Sequence, residues 1–176
     1  MTTTVAGRIV VGDLVSKGFQ SVLRIATLSS DGIICKIGTR ICMSERVNIS
    51  SGAPWEPIAG YSRAVRVGQF IEVAGTTAVD AQGNFFGEGD VVAQTQYILE
   101  KIQLAIEQAG GALSDVVRTR IFVTDREYMM EVAKVHGKFF GEILPASTGV
   151  EVGALIDDRL LVEIEASAII SSILDT

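Results

Sequence analysis

At 176 residues, 48% hydrophobic and carrying a formal charge of −6, the chain has material for one well-packed domain. No apolar run approaches the ~20 residues that span a bilayer. No Lys/Arg-rich run offers itself to a phosphate backbone, so a membrane segment and a nucleic-acid partner are both disfavoured.

The opening residues lack a basic stretch followed by a continuous apolar one, so no signal peptide is read and the expected compartment is the cytoplasm. Residues 1–42 carry five basic side chains (Arg8, Lys17, Arg24, Lys36, Arg40) against Asp13 and Asp31, and the rest of the chain is correspondingly acidic. The same stretch has weak apolar patterning and holds both cysteines, Cys35 and Cys42, read as reduced thiols. At Met43, "MSERVNISSG" looks like the ordinary opening of a protein. Residues 1–42 are therefore expected to be a poorly ordered N-terminal extension and 43–176 the folded domain. The alternative is a genuine hairpin, with "GRIVVGDLV" and "DGIICKIG" as strands.

From Val47 the patterns sharpen. "SGAPWEP" reads as a Pro-stiffened arm around Trp55 and Glu56. "SRAVRVGQFIEVAGTTAV" holds two β-rich runs around a turn at Gly68-Gln69. "DAQGNFFGEGD" is loop. Asp90 is placed to cap a helix whose buried face is Ile98, Ile102, Ala105 and Ala109, and Gly110-Gly111 stops it. "DVVRTRIFVTD" alternates as a strand, with Val117, Thr119, Ile121 and Val123 on one side and Arg118, Arg120 and Phe122 on the other. Asp125 starts a second helix with Tyr128, Val132, Val135 and Phe139 inward, ending at Gly141. Pro145 opens a strand through Val150. The last strand, "LLVEIEASAII", turns Val162, Ile164, Ala166 and Ala168 one way and Glu163, Glu165 and Ser167 the other.

This order predicts a two-layer α+β sandwich: a mixed β-sheet with two helices on one face. The uncovered face, with Arg118, Arg120, Phe122, Glu163 and Glu165, is expected to pack against further copies of the chain.

The segments "AGYSRAV", "VAGTTAV", "AIEQAGGALSDVVRTRIFVTD", "HGKFFGEILPAST" and "VEIEASAI" resemble the Rid (RidA-like) family of enamine/imine deaminases, over about residues 47–170. The resemblance implies a chorismate-mutase-like subunit, a homotrimer, and clefts between neighbouring subunits that each take a small imine or enamine without a cofactor. It places a pocket tyrosine at Tyr61, a pocket glycine at Gly75 and the water-positioning glutamate at Glu163. The loop that reads Pro-Ala-Arg-Ser-Cys in active members is Pro145-Ala146-Ser147-Thr148-Gly149 here. The carboxylate-clamping arginine is thus Ser147 and the cysteine is Gly149, and a helix asparagine often found near the site is Ala133.

A charge-assisted arginine–carboxylate bond contributes roughly 1.5–3 kcal/mol, so its loss predicts an altered substrate range. Arg118 and Arg120 are the candidate replacements, with Arg120 assigned to substrate binding. His136, the single histidine, lies beside the apolar stripe of the second helix and reads as structural or partly exposed; the functional alternative has it bordering the cleft and binding substrate. Glu163 also admits an ordinary role, paired with Arg118 or Arg120 on a neighbouring strand. One histidine with distant acids makes no metal site. Two functions follow: hydrolysis of small reactive enamines or imines to a carbonyl compound and ammonia, or non-catalytic binding of a small metabolite in the same cleft.

Overall fold

The computed structural model describes residues 45–171, together with the backbone of 24–29 and 32–37. The chain divides into two compact units, Met1–Ser44 and Glu45–Thr176. In the first, β1 (Arg24–Ser29) and β2 (Gly32–Ile37) form an antiparallel hairpin, and β2 falls within the "DGIICKIG" stretch. The other stretch proposed as a strand, Cys42, Met43 and the side chain of Cys35 lie outside the described residues.

The second unit builds one six-stranded sheet in the order β3-β4-β5-β8-β6-β7, from β3 (Arg46–Ile49), β4 (Ala64–Val67), β5 (Phe70–Thr76), β6 (Val116–Val123), β7 (Ala146–Glu151) and β8 (Val162–Ile169). All pairings are antiparallel except β6 with β7, so the sheet is mixed. Helices α2 (Val91–Gln108) and α3 (Met129–Phe140) form the second layer; a short α1 (Trp55–Ala59) precedes β4. This is the α+β architecture read from the sequence.

The helix layer and one sheet face enclose the core. Ile98, Ile102, Ala105 and Ala109 are buried along α2, and Val132 and Val135 along α3. They meet Ile71 and Val73 of β5, Ile121 and Val123 of β6, and the alternating Val162, Ile164, Ala166 and Ala168 of β8. Asp90 caps α2 by accepting a hydrogen bond from the Ala93 amide, satisfying one of the first-turn donors. At the other end Gly110, at φ +82°, supplies the left-handed residue that stops the helix.

Four local features differ from the sequence reading. The "SGAPWEP" segment, read as a Pro-stiffened arm, enters the short helix α1, and the Glu56 side chain folds inward to accept hydrogen bonds from Ser50 and Ser51. β3 was not anticipated, because "RVNI" is short and its residues are mostly exposed, giving no hydrophobic alternation. A register shift between Val116 and Arg118 turns Val117 outward, 44% exposed, and Val116 takes its place in the core. At the end of α3 it is Phe140, 2% exposed, rather than Phe139 that is fully buried.

Candidate functional site

The site begins with an irregularity in β5. Val73 pairs with Ala166 and Thr76 with Ile164, so two residues, Ala74 and Gly75, oppose Glu165 alone. This bulge bends the strand and keeps Thr76 facing the core while Gly75 lies on the open side. There the Glu163 side chain reaches across from β8 and fills the space a side chain at Gly75 would need. A Cβ built on Gly75 overlaps the Glu163 carboxylate outright. A side chain at Gly75 would displace the Glu163 carboxylate from this seat.

The Glu163 carboxyl is held above the ordinary value of 4.5, first by burial and then by neighbouring Glu165, with Arg63 opposing. Glu163 makes no ion pair with Arg118 or Arg120. Arg120 instead bridges to Glu165 at 3.1 Å, and Arg118 reaches the Thr148 hydroxyl at 3.4 Å. Strand register explains the choice: Arg120 is paired opposite Glu165, whereas Glu163 faces Phe122.

Glu163, Gly75 and Tyr61 line one groove of about 960 Å³. It lies between α1, the end of β5, the Lys101–Gln108 stretch of α2 and the Ile156–Leu160 turn. Three cations line it that the sequence reading did not single out: Arg159, paired with Asp157, and Arg63 and Lys101. Arg63, only 7% exposed, donates through Nη1 to the carbonyls of Ala74 (3.2 Å) and Gly75 (2.8 Å) and to Thr76 Oγ1 (2.8 Å), clamping the bulge. Its guanidinium lies 5.7 Å from the Tyr61 ring centre. Lys101 Nζ donates to the carbonyls of Thr77 (3.1 Å) and Val79 (2.5 Å). Burial, and then the Arg63 charge, lower Lys101 to about 8, with Asp80 opposing. The available signal for Arg63 was its spacing two residues beyond Tyr61 in "GYSRAV", which puts both on one side of extended chain. Lys101 carried only a weak signal, a charged residue beside the apolar stripe of α2.

The remaining sequence-assigned residues gather elsewhere. Ser147 is registered beside Thr119, whose side chain is fully buried on the helix side of the sheet. The Thr119 hydroxyl stands 2.9 Å from Ser147 Oγ and 3.0 Å from His136 Nε2, linking the half-buried ring to the exposed serine. Burial lowers the pKa of His136, and its ring packs against Phe140 with centres 4.5 Å apart. Gly149, on the same strand, leaves room for the Met129 sulfur. Within one chain Glu163 and Ser147 therefore lie on opposite faces, with β6 between their strands. Neither Ser147, Gly149, His136 nor Arg120 lines the groove. All six residues of β7 are exposed at the sheet edge.

Among the described residues no group of three His, Cys, Asp or Glu is placed to hold a metal ion, and no helix is long and apolar enough to cross a membrane. The groove brings together the Glu163 carboxyl, three cations (Arg63, Lys101 and Arg159), the carboxylates of Asp80 and Asp157, and the backbone carbonyls that Arg63 and Lys101 hold.

A mixed six-stranded sheet under two helices, with a carboxyl over a glycine bulge, defines a small α+β protein of the class read from the sequence motifs. Residues 51–170 match the family described as Endoribonuclease L-PSP, and the chain belongs to that family, which includes the Rid proteins. A RutC family protein of Pyrococcus abyssi is 37% identical over 126 residues, covering 72% of this chain and 98% of its own. The 3-aminoacrylate deaminase RutC of Acinetobacter baylyi is 32% identical over 119 residues, covering 68% and 94%. Among solved structures, Rv2704 of Mycobacterium tuberculosis, a member of the YjgF/YER057c/UK114 family, superposes with a TM-score of 0.66 at 49% identity. That match covers 72% of this chain and all of the other. A Rid family protein of Yersinia pestis gives 0.64 at 30% identity, covering 72% and 100%.

Proposed function

We propose that this protein hydrolyses small reactive enamines and imines to a carbonyl compound and ammonia, with Glu163 as the general acid/base. The observation that carries the reading is the Glu163 carboxyl, raised by burial and set over the Gly75 bulge inside an open groove. A carboxyl with an elevated pKa both accepts and returns a proton near neutrality. The name of the Acinetobacter baylyi relative, a 3-aminoacrylate deaminase, supports the same chemistry.

In the proposed reaction water attacks the carbon of a protonated C=N bond and the π electron pair moves onto nitrogen. Glu163 takes one water proton, leaving a neutral carbinolamine. It then returns that proton to nitrogen. The C–N bond breaks with its electron pair leaving as ammonia, and the oxygen releases its remaining proton as the carbonyl forms. Tyr61 and the backbone around Gly75 hold the substrate.

The proposed assembly is a homotrimer. The exposed edge strand β7 of a neighbouring copy closes each groove and brings Ser147, Gly149 and His136 to it. A fully exposed edge strand is a pairing and aggregation hazard unless something covers it, which supports this arrangement. With a neutral hydroxyl at Ser147, the substrate range is expected to differ from that of relatives carrying arginine there. We place the protein in the cytoplasm, with no membrane or nucleic-acid partner.

The test is ammonia release from imines generated in situ, both carboxylated and uncharged. Release above the buffer rate, lost by ~10²–10⁴-fold in Glu163→Gln with the oligomer intact, is the expected result. No release from any imine by the wild-type protein overturns the enzymatic reading; retained ligand binding would then point to a metabolite-binding protein.

A further inference from the structure

Arg63 is a buried guanidinium that makes no ion pair; the Glu56 and Glu163 carboxyls act on it only from beyond salt-bridge distance. No carboxylate lies within ion-pair distance of it among the described residues. Its Nη1 is engaged three ways, but Nη2 reaches only the Tyr61 hydroxyl at 3.4 Å, and the buried Nε finds no acceptor among the described residues. Nε and Nη2 make up the side-on edge with which arginine grips a carboxylate in two parallel hydrogen bonds. Buried donors of this kind are rarely left unmade.

Lys101 adds to the same end of the groove. Two of its three protons go to the Thr77 and Val79 carbonyls, and the third makes no hydrogen bond among the described residues. Lys101 and Arg63 are close enough to repel one another. Asp157 is paired with Arg159, whereas Glu56 and Asp80 are held by the neutral donors of Ser50, Ser51 and Asn84, which do not cancel their charge, and act on Arg63 and Lys101 from a distance. Glu163, its carboxyl raised by burial and by Glu165, is drawn back only in part by Arg63.

We propose that Arg63 and Lys101 together form the anion-binding end of the groove and hold the carboxylate of the substrate, taking over the role of the arginine replaced by Ser147. The substrate class is then an imine or enamine whose carboxylate sits one or two bonds from the C=N carbon, within reach of Glu163. The reactive group named here rests on the deaminase reading; the anion site itself does not.

The experiment measures binding of pyruvate and of its uncharged amide, pyruvamide, to the full chain by calorimetry, with no turnover required. Pyruvate is expected to bind at least ~10-fold tighter than pyruvamide. Lys101→Met, which keeps the length and apolar stem, and Arg63→Lys, which keeps the charge but not the fork, should each weaken pyruvate by about tenfold and leave pyruvamide unaffected.

Lys101 faces Tyr97 on its own helix, Arg63 before β4 and Asp80 after β5. It shares the groove with Glu163 of β8 and with Asp157 and Arg159 before that strand. Pyruvate affinity should accordingly fall between about pH 7 and pH 9 in the wild type and stay flat in Lys101→Met. Equal binding of the two probes, no binding of pyruvate, or pyruvate affinity unchanged in both variants overturns the proposal. Charge-dependent pyruvate binding without ammonia release from any imine leaves the anion site standing and removes the deaminase reading. Turnover of carboxylated imines that both variants leave intact does the reverse.

Discussion

At the scale of single residues, the closest physical constraint is between Gly75 and Glu163. Gly75→Ala forces the Glu163 carboxylate out of its seat, so it should lower both stability and turnover. In a Glu163→Ala background the added methyl has room, and most of the stability loss should vanish. A double-mutant cycle in denaturant should show a coupling of about 0.5–3 kcal/mol; additive effects would mean the carboxylate can sit elsewhere at no cost.

Glu163 also leaves a thermodynamic signature. Its folded-state pKa lies above the ordinary 4.5, so between those two values the folded chain binds more protons than the unfolded one. The contribution of this group to stability therefore falls as pH rises through that interval and remains lower above it. Glu163→Gln removes this cost, and the variant should melt at a higher temperature than the wild type at neutral pH but not at about pH 4 or below. Tyr61, Gly75 and Glu163 were legible because each sits in a distinctive short motif. Arg63 sits in one of the same motifs, yet its burial and its empty side-on edge depend on the β5 bulge, and no residue pattern announces where an extra residue will be accommodated.

At the scale of elements, the Thr119 hydroxyl joins β6, α3 and β7 through His136 and Ser147. Thr119→Val keeps the shape and removes the hydroxyl, leaving the half-buried imidazole without that partner. It should destabilise the domain by ~1–3 kcal/mol, read as a lower denaturant midpoint, while Thr119→Ser retains most of the stability. An unchanged midpoint for Thr119→Val would show that His136 finds other partners.

The two long helices and the strands β5, β6 and β8 were readable because their burial follows the 3.6- and 2-residue periods without interruption. The misreadings cluster where a period breaks. Val117 was assigned inward because alternation was carried back from Ile121 through the bulge, which shifts the register by one. The segment around Trp55 read as an arm because Pro54 and Pro57 suggested stiffness; it turns helical with Glu56 tucked under Ser50 and Ser51, a set of contacts invisible to hydropathy. Burial pushes the Glu56 carboxyl up, but the hydrogen bonds from those serines outweigh it and hold the group below its ordinary value.

At the scale of the whole molecule, the sheet offers helices on one face and a polar, partly apolar surface on the other, with the Arg120–Glu165 bridge and a Ser167–Glu72 hydrogen bond lying across it. Light scattering is expected to give three times the chain mass; a monomer at micromolar concentration would remove the proposed intersubunit closure. Ser147 and Gly149 lie on β7, separated by β6 from the strand of Glu163, and with His136 of α3 they belong to the far side of the sheet; the resemblance alone related them to Glu163, and within one chain the two groups stay apart. The unpaired border of β7 has a further consequence. In the proposed trimer a newly made copy would carry six consecutive residues of uncovered strand only until assembly, so its exposure to proteases should fall as expression rises.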